Sequence, residues 1–168
     1  MPMTGGDVSA SEFDTRAFRQ ALGCFPTGVA VVTTHGATGD PIGMTVNSFT
    51  SVSLTPPLVL WCLDKRSERY PTFTASDAFV ISILGTAHEE VSSQLARPGA
   101  HSLDHISLLP TELGPPALAD ALAVFECAAH GIHDAGDHAI LIGHVLRFAR
   151  RQAGAPLVFY QGRYGALA

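Results

Sequence analysis

Hydrogen-bonding side chains are concentrated between Gly43 and the Pro56-Pro57 pair. The hydroxyl and amide groups of this segment belong to Thr45, Asn47, Ser48 and Ser51. Such groups suit an elongated polar ligand, and the apolar side chains between them offer surface for a planar ring. The same pattern is typical of a half-buried strand whose Ser and Thr residues face water. The segment by itself leaves both interpretations open.

The eight histidines raise the question of a metal site. They are densest between His130 and His138, where Asp134 and Asp137 add carboxylates. Residues of a strand that are an odd number of positions apart point to opposite faces, so His130 and His133 are expected to diverge. We therefore predict no metal site, but turn-forming polar residues and one functional histidine, His138.

Charge and motif content disfavour several classes of protein. The formal net charge is −5, whereas binding to a phosphate backbone depends on clustered Lys and Arg, so nucleic acid is not expected as a partner. The motifs GxGxxG, GxxxxGKS/T, GxSxG and HExxH do not occur in the sequence. Rossmann, P-loop, hydrolase-elbow and zincin interpretations consequently have no support.

Cysteine usage and the N-terminal residues bear on location. The three cysteines are widely spaced and form no CxxC pair, so we expect reduced thiols in the core. We see no signal-peptide pattern and no apolar run long enough to span a bilayer, so a cytoplasmic protein without a membrane partner is expected. The small, polar residues 1–12 predict a flexible tail before a single domain over residues 13–168.

The elements that must position these residues are mostly strands. Runs rich in β-branched residues predict strands at Val29–Thr34, Ser48–Leu54, Leu58–Leu63, Ala78–Leu84, Val124–His133 and His138–Phe148. Clusters of Gly, Pro and Asp predict turns at 36–43, 55–57 and 134–137. The runs Leu58–Leu63 and Ile140–Ile142 are apolar at successive positions, so both sheet faces should be covered there, one of them by a partner subunit.

Helices are predicted to be few and short. Apolar residues at helical spacing predict a helix within Asp14–Cys24 whose apolar face packs onto the domain, and shorter helices are predicted at Arg69–Ser76 and His88–Leu95. Because helices and strands do not alternate, a doubly wound sheet is disfavoured and an antiparallel barrel with a few peripheral helices fits better. The irregular stretch 98–116 is expected to be a long surface loop.

Four segments together resemble the short-chain flavin reductases, which are the reductase components of two-component flavin monooxygenases. These segments are Phe25–Thr34, Met44–Pro57, Gly136–Val145 and Pro156–Tyr164, and they occur in the order found in that family. With the residues between them they cover roughly Phe18 to Gly165. The resemblance implies a mainly β, antiparallel Greek-key split barrel. It also implies a homodimer, whose interface would absorb part of the high apolar content of 46%.

The resemblance also implies roles for individual residues. The flavin ring and ribityl chain are expected beside Thr45, Val46, Asn47 and Ser48, with Thr27 and Ser51 in the same cleft. The phosphate-side loop corresponds to residues 64–67, with Lys65 and Ser67 as candidate ligands, although a solvated charge run is the competing interpretation. The nicotinamide nucleotide is expected near His138, the predicted catalytic residue, and near Tyr160, Arg163 and Tyr164.

The implied activity is hydride transfer from NADH or NADPH to FMN or FAD, with the reduced flavin supplied to a partner monooxygenase. Three alternatives stay open: a flavin-binding carrier or sensor without turnover, an oxidase of pyridoxamine phosphate on the same barrel, and a metal-binding β-barrel. The segment 97–105 departs from the pattern expected of the family. Because the corresponding loop borders the site in such reductases, the flavin preference is left open.

Overall fold

The computed structural model describes residues 13–151 and 154–167, and the tail predicted over residues 1–12 lies outside these ranges. The helices are α1 (Thr15–Leu22), α2 (Tyr70–Ala75) and α3 (Glu89–Leu95), the last preceded by a 3-10 turn, Thr86–His88. The first six strands are β1 (Thr27–Gly28), β2 (Ala30–His35), β3 (Pro41–Val46), β4 (Thr50–Leu54), β5 (Pro57–Asp64) and β6 (Ala78–Ile83). The remaining strands are β7 (Leu108–Leu109), β8 (Ala117–Leu118), β9 (Ala123–Ala135), β10 (His138–Arg150), β11 (Leu157–Tyr160) and β12 (Arg163–Ala166).

Seven strands form one antiparallel sheet in the order β3-β2-β6-β9-β10-β5-β4. Non-consecutive strands are neighbours at β2–β6, β6–β9 and β10–β5, as a Greek-key arrangement requires. A three-stranded sheet, β1-β11-β12, and the short β7–β8 pair complete the β structure. The predicted mainly β, antiparallel split barrel with peripheral helices is confirmed.

The barrel interior is filled by large apolar side chains that alternate with outward-facing residues along each strand. Val59, Trp61 and Leu63 of β5 are buried, and they pack with buried residues of the other strands in one cluster. The rings of Phe73 and Phe79 meet Trp61 edge-on, at centroid distances of 5.1 and 5.9 Å. This interior holds the ends of β3, β5 and β10 at fixed positions.

A second hydrophobic cluster lies on the other face of β2. Val29 and Val31 pack there with Leu84, which follows β6, with Leu95 of α3 and with Leu157 of β11. In β2, Ala30 and Val32 belong to the barrel cluster, so this strand is buried on both faces. The second cluster therefore fixes α3 and the C-terminal hairpin against the barrel.

Two predicted segments differ from the observed structure. The predicted turn cluster 36–43 includes the first residues of β3, because Pro41 is tolerated at the first position of an edge strand. The stretch 98–116 is not entirely a surface loop, since Leu103 is 2% exposed. It packs over Gly43, where a Cβ atom would lie 2.8 Å from the Leu103 Cδ2 atom.

Two predictions of burial are also wrong for the isolated chain. Asp14 caps α1 as its spacing suggests, accepting hydrogen bonds from two backbone N–H groups, but no residue of α1 is buried. Its apolar side chains Phe18 and Leu22 are exposed, because no described part of this chain covers them. Cys24, expected in the core, is exposed, whereas Cys127 is buried and Cys62 is half-buried. All three thiols are free, as predicted.

The β9–β10 hairpin carries the histidine-rich segment. Its tight turn is Gly136-Asp137, and Gly136 has a φ of 69°, a conformation that glycine adopts without strain. A β-bulge leaves His130 unpaired between the Gly131–Ile142 and Ala129–Gly143 pairs, and its ring centroid lies 6.2 Å from that of His144. The bulge interrupts the strict alternation from which His130 and His133 were expected to diverge. None of the described helices has the length and apolar character needed to cross a bilayer.

Candidate functional site

Three adjoining concavities contain most of the predicted site residues, and we call them together the groove. The β5-end cleft, of ≈ 540 Å³, is lined by Met44, Asp64, Arg66, Ser67, Glu68, Arg69, Ala96 and Pro98. The central pocket, of ≈ 160 Å³, is lined by Val29, Thr45, Val46, Asn47, Ala96, Phe159 and Tyr164. The C-terminal cleft, of ≈ 820 Å³, is lined by Cys24, Pro26, Val158, Tyr160, Gln161, Arg163, Tyr164, Gly165 and Ala166. Ala96 is shared by the first two and Tyr164 by the last two, so neighbouring concavities adjoin at these residues.

The predicted flavin segment lies at the centre of this groove. Thr45, Val46 and Asn47 line the central pocket, but the hydroxyl of Thr45 donates a 2.8 Å hydrogen bond to the backbone oxygen of Ser92. Ser48 likewise uses its Oγ atom internally, accepting a 2.9 Å hydrogen bond from the backbone N–H of Cys62. This bond joins the β3–β4 connection to β5 and holds the mouth of the barrel.

The backbone of the same segment lies between two strands. Asn47 and Ser48 follow β3 and precede β4, and in the described part of the chain their N–H groups form none of the backbone hydrogen bonds of turns and loops. Two adjacent amides of this kind suit the carbonyl and ring-nitrogen acceptors along one edge of a flat heterocycle. The side chain of Asn47 is exposed and adds both a donor and an acceptor. The hydroxyl groups of Thr45 and Ser48 are therefore used within the fold, which leaves the backbone amides and the Asn47 side chain as the candidate ligand-binding groups.

Two further predicted flavin contacts lie beside the groove. Thr27, in β1, pairs with Phe159, which lines the central pocket. Its Oγ1 atom is buried and has no hydrogen-bond partner among the described residues. Ser51 is an exposed residue of the edge strand β4 and pairs with Val59. It lines none of the three concavities.

The two candidate phosphate ligands separate in the structure. Ser67 lines the β5-end cleft, where its Oγ atom accepts a hydrogen bond from the backbone N–H of Arg69. The ammonium group of Lys65 instead donates 2.6 Å hydrogen bonds to Asp134 and to the backbone oxygen of Gly136, so it anchors the β9–β10 turn. Arg66 lines the cleft and donates to Asp64, which holds the pKa of that carboxyl well below its usual range.

His138 lines none of the three concavities and is related to the β5-end cleft only through its strand partner. It begins β10 and pairs directly with Asp64, which lines that cleft. The Nδ1 atom of His138 is 2.7 Å from a carboxylate oxygen of Asp137, and this hydrogen bond lowers the pKa of Asp137. Because a carboxylate accepts, Nδ1 carries the proton and Nε2 is left for a ligand. The side chain is 41% exposed, which leaves room for such a contact.

The C-terminal hairpin provides the remaining predicted residues. Tyr160 and Arg163 form the last pair of the β11–β12 ladder, and both line the C-terminal cleft. Tyr164 lies between this cleft and the central pocket, with its ring edge-on to Phe159 at 5.4 Å. Its hydroxyl is 2.7 Å from the Oγ atom of buried Ser92. Tyr164 therefore joins the two halves of the groove in a fixed orientation.

Several residues of the groove are not evident from the sequence. Ser92 connects strand β3 to the C-terminal hairpin through Thr45 and Tyr164, and Ala96 lines two of the concavities. A serine within a short helix and an alanine directly after it carry no chemical signal. In the described residues, no group of three or more His, Cys, Asp or Glu side chains is arranged to hold a metal ion.

Comparison with known proteins is consistent with this geometry. A family model described as flavin reductase like domain matches residues 22–168. The FMN reductase (NADH) SmoA of Agrobacterium fabrum is 47% identical over 152 residues, which are 90% of this chain and 86% of that protein. The reductase subunit HsaB of a flavin-dependent monooxygenase from Rhodococcus jostii is 38% identical, covering 95% of this chain and 81% of the relative.

A solved structure of a flavin-reducing enzyme is also similar to this chain. The NADH:FAD oxidoreductase of Streptomyces globisporus, solved with NAD and FAD fragments, superposes with a TM-score of 0.88 at 37% identity, covering 98% of both chains. Some curated relatives are only partly covered: the chain spans 61% and 45% of the lengths of two proteins from Rhizobium meliloti.

Proposed function

This chain belongs to the flavin reductase-like domain family, and on that premise we propose that it transfers hydride from NADH to FMN or FAD and supplies reduced flavin to a partner monooxygenase. Its relatives support each part of this proposal: SmoA is named an FMN reductase that uses NADH, and HsaB is named the reductase subunit of a monooxygenase. One observation carries it, namely a row of adjoining concavities with the Thr45–Asn47 segment at its centre, and with His138 paired to Asp64, which lines the β5-end cleft.

The residues of the groove fit a flavin and a nicotinamide nucleotide. Flavin and nicotinamide contain the atoms that exchange hydride, so the protein needs no nucleophile of its own. The amides of Asn47 and Ser48 bind the polar edge of the flavin ring, where they stabilise the negative charge that reduction adds. Tyr164, which lines both the central pocket and the C-terminal cleft, borders the place where the two nucleotides meet, and Ser67 with Arg66 faces the phosphate side. When the protein holds the flavin and nicotinamide rings at the distance and orientation of hydride transfer, the reaction between them becomes effectively unimolecular.

Anaerobic NADH oxidation tests the proposed reaction, because without oxygen the reduced flavin accumulates. We expect stoichiometric loss of NADH absorbance and bleaching of added FMN or FAD, with NADPH assayed in parallel. A chain that consumes neither nucleotide in the presence of either flavin is not a flavin reductase. A carrier or sensor, the alternative function, would bind flavin and still fail this assay. Placing the oxygenase behind a dialysis membrane then tests supply by diffusing flavin.

His138→Ala is expected to raise the nicotinamide KM about tenfold, which corresponds to the loss of one hydrogen bond. The flavin KM should change less, because we assign the free Nε2 atom to the nicotinamide and the backbone amides to the flavin. Steady-state kinetics with each substrate varied in turn separates the two effects. The control is His133→Ala in the same hairpin, an exposed position that pairs with Ile140, whereas His138 pairs with Asp64 of the β5-end cleft. A larger change in the flavin KM would refute the assignment.

We also propose that the chain is a homodimer, which the apolar outer surface supports. The outward-facing residues of β5 and β10 form an apolar stripe, with Ile142 opposite Leu60 and Ile140 opposite Cys62. Beyond this stripe, Phe18 and Leu22 of α1 are 49% and 58% exposed, and Leu54 is 91% exposed. A protein surface with this much exposed apolar area is typical of an interface. A second copy of the chain would cover both the stripe and α1.

Ile142→Lys should raise the dimer dissociation constant by about 30-fold or more, the effect of losing an interface contact worth about 2 kcal/mol. Analytical ultracentrifugation over a range of protein concentrations measures this change. The matched control, Ile132→Lys, alters a residue of β9 that pairs with Leu141 and so lies on the opposite sheet face. A wild-type protein that is monomeric at micromolar concentration would contradict the proposal.

We treat residues 13–168 as one domain, because β2 contributes Val31 to one hydrophobic cluster and Val32 to the other. If the two clusters belonged to separate domains, one buried face of β2 would be exposed to solvent. The cytoplasmic location and the absence of nucleic-acid and membrane partners stay predictions of the sequence.

A further inference from the structure

Arg69 is a buried cation that the proposed reaction does not use. It is 6% exposed, and its guanidinium donates hydrogen bonds of 3.1 and 2.8 Å to the backbone oxygens of Leu95 and Arg97. These carbonyls end α3, where a positive charge is favourable because of the helix dipole. Burial lowers the pKa of Arg69, but an arginine stays protonated in proteins.

The burial of Arg69 is incompletely compensated. Its Nε–H has no hydrogen-bond partner in the described residues, and no carboxylate in that part of the chain forms an ion pair with it. Burying a charge without a directly paired carboxylate opposes folding. Rules of stability are most often broken at positions that serve function.

The neighbouring Glu68 holds the same segment, residues 96–101, which we name the 96–101 loop. Its Oε1 atom accepts a hydrogen bond from the backbone N–H of Gly99 and lies 3.4 Å from the Nδ1 atom of His101. The bond from Gly99 lowers the pKa of Glu68, so the carboxylate is ionised. The backbone oxygen of His101 in turn accepts a 3.0 Å hydrogen bond from the N–H of Gly43 in β3.

The 96–101 loop forms a wall of the groove. Ala96 lines the central pocket with Thr45 and Asn47, and it also lines the β5-end cleft. Pro98 lines the same cleft together with Ser67. Because Ala96 and Pro98 contribute small side chains and backbone, the position of the loop determines how wide the groove is. That position depends on Glu68 and Arg69, which immediately precede α2.

We infer that Glu68 and Arg69 are a pair of positioning residues, which hold the 96–101 loop at the width that the flavin requires. The inference rests on the proposed function for the identity of the ligand. Both side chains also line the β5-end cleft, but their hydrogen bonds are made to the loop, and through it they act on the flavin. Loosening the loop should weaken the binding of FMN and of FAD, because both contain the same ring, ribityl chain and first phosphate.

The test uses the full chain with the substitutions Arg69→Gln and Arg69→Lys, and with Glu68→Gln as a second way to release the loop. Flavin affinity is measured by fluorescence quenching with FMN and FAD, and loop order by hydrogen exchange of the amides at 97–101. We expect Arg69→Gln to raise the flavin Kd at least about tenfold and to speed exchange in the loop. Arg69→Lys keeps the charge with fewer donors in a different geometry, so its effect should be intermediate.

The matched control is Arg150→Gln, which removes the same charge from an exposed position at the far end of β10 from His138. It should bind flavin as the wild-type chain does. A variant at Arg69 or Glu68 whose loop exchanges faster but whose flavin Kd is unchanged would overturn the inference. So would a fall in flavin binding that merely parallels a loss of folded protein. If Arg69→Gln does not fold, Arg69→Lys and Glu68→Gln decide the matter by the same criteria.

Failure of this inference can be distinguished from failure of the proposed function. Flavin affinity is measured without NADH, so a wild-type chain that binds flavin but does not oxidise NADH overturns the reaction and leaves this test valid. A wild-type chain that binds neither FMN nor FAD overturns both.

Discussion

Trp61→Ala is expected to lower the free energy of unfolding by about 3–5 kcal/mol. Trp61 is fully buried in the barrel between Phe73 and Phe79, so the substitution leaves a large cavity in a rigid interior. Its indole N–H has no acceptor within the described residues, so the loss is one of packing and not of hydrogen bonding. Urea denaturation followed by circular dichroism measures the change, since the variant lacks the only tryptophan.

Trp61→Phe provides the matched control. It keeps an aromatic ring in the barrel and removes the unpaired N–H, so roughly half or less of the stability loss should remain. The barrel fixes the ends of β3, β5 and β10, and we therefore expect Trp61→Ala to weaken flavin binding as well. A loss of less than about 1 kcal/mol for Trp61→Ala would be inconsistent with a well-packed barrel interior.

The thiol of Cys127 should react with iodoacetamide at pH 8 about a thousandfold more slowly than an ordinary cysteine, since the thiolate is the reactive form. Burial raises its pKa from 9.0 to about 12, which lowers the thiolate fraction by that factor, and restricted access slows the reaction further. Mass spectrometry of peptides after timed alkylation measures the alkylation rate of each cysteine separately. Rapid labelling of Cys127 in the folded protein would contradict its placement in the core.

Cys24 serves as the internal control for this measurement. It is exposed and lines the C-terminal cleft, so it should be the first thiol to be alkylated. If the nicotinamide nucleotide occupies that cleft, NADH should protect Cys24 and leave the alkylation of Cys127 unchanged. In 8 M urea both thiols should react at similar rates, because the difference between them arises from the fold.

The main strands are predictable from local sequence. The runs of β-branched residues predict both ends of β2, β5, β6, β9 and β10 to within about two residues. They do so because extended backbone and alternating burial favour the same residue types. The two-residue strands β1, β7 and β8 were not predicted, since so short an element has no periodicity. The start of β3 was read as a turn because Pro41 is compatible with both a turn and the first position of an edge strand.

The candidate site is less predictable than the strands. The polar segment at 45–48 lies in the groove as expected, but its hydroxyls bind Ser92 and Cys62, partners that are 47 and 14 positions away in the sequence. Lys65 and Ser67 are two positions apart and nevertheless separate, because Lys65 is held by the β9–β10 turn. No local pattern determines which side of a loop carries a given side chain.

The sequence by itself determined the antiparallel β architecture, the absence of cysteine pairing and the family resemblance, because each depends on residue types and their order. Tertiary structure alone decided which groups face the groove, because hydrogen bonds between distant segments use up some polar atoms and leave others free. It also decided the positions of Glu68 and Arg69, whose carboxylate and guanidinium bind backbone about 30 residues further along the chain. Such contacts form only when the barrel has brought α2 and the end of α3 together.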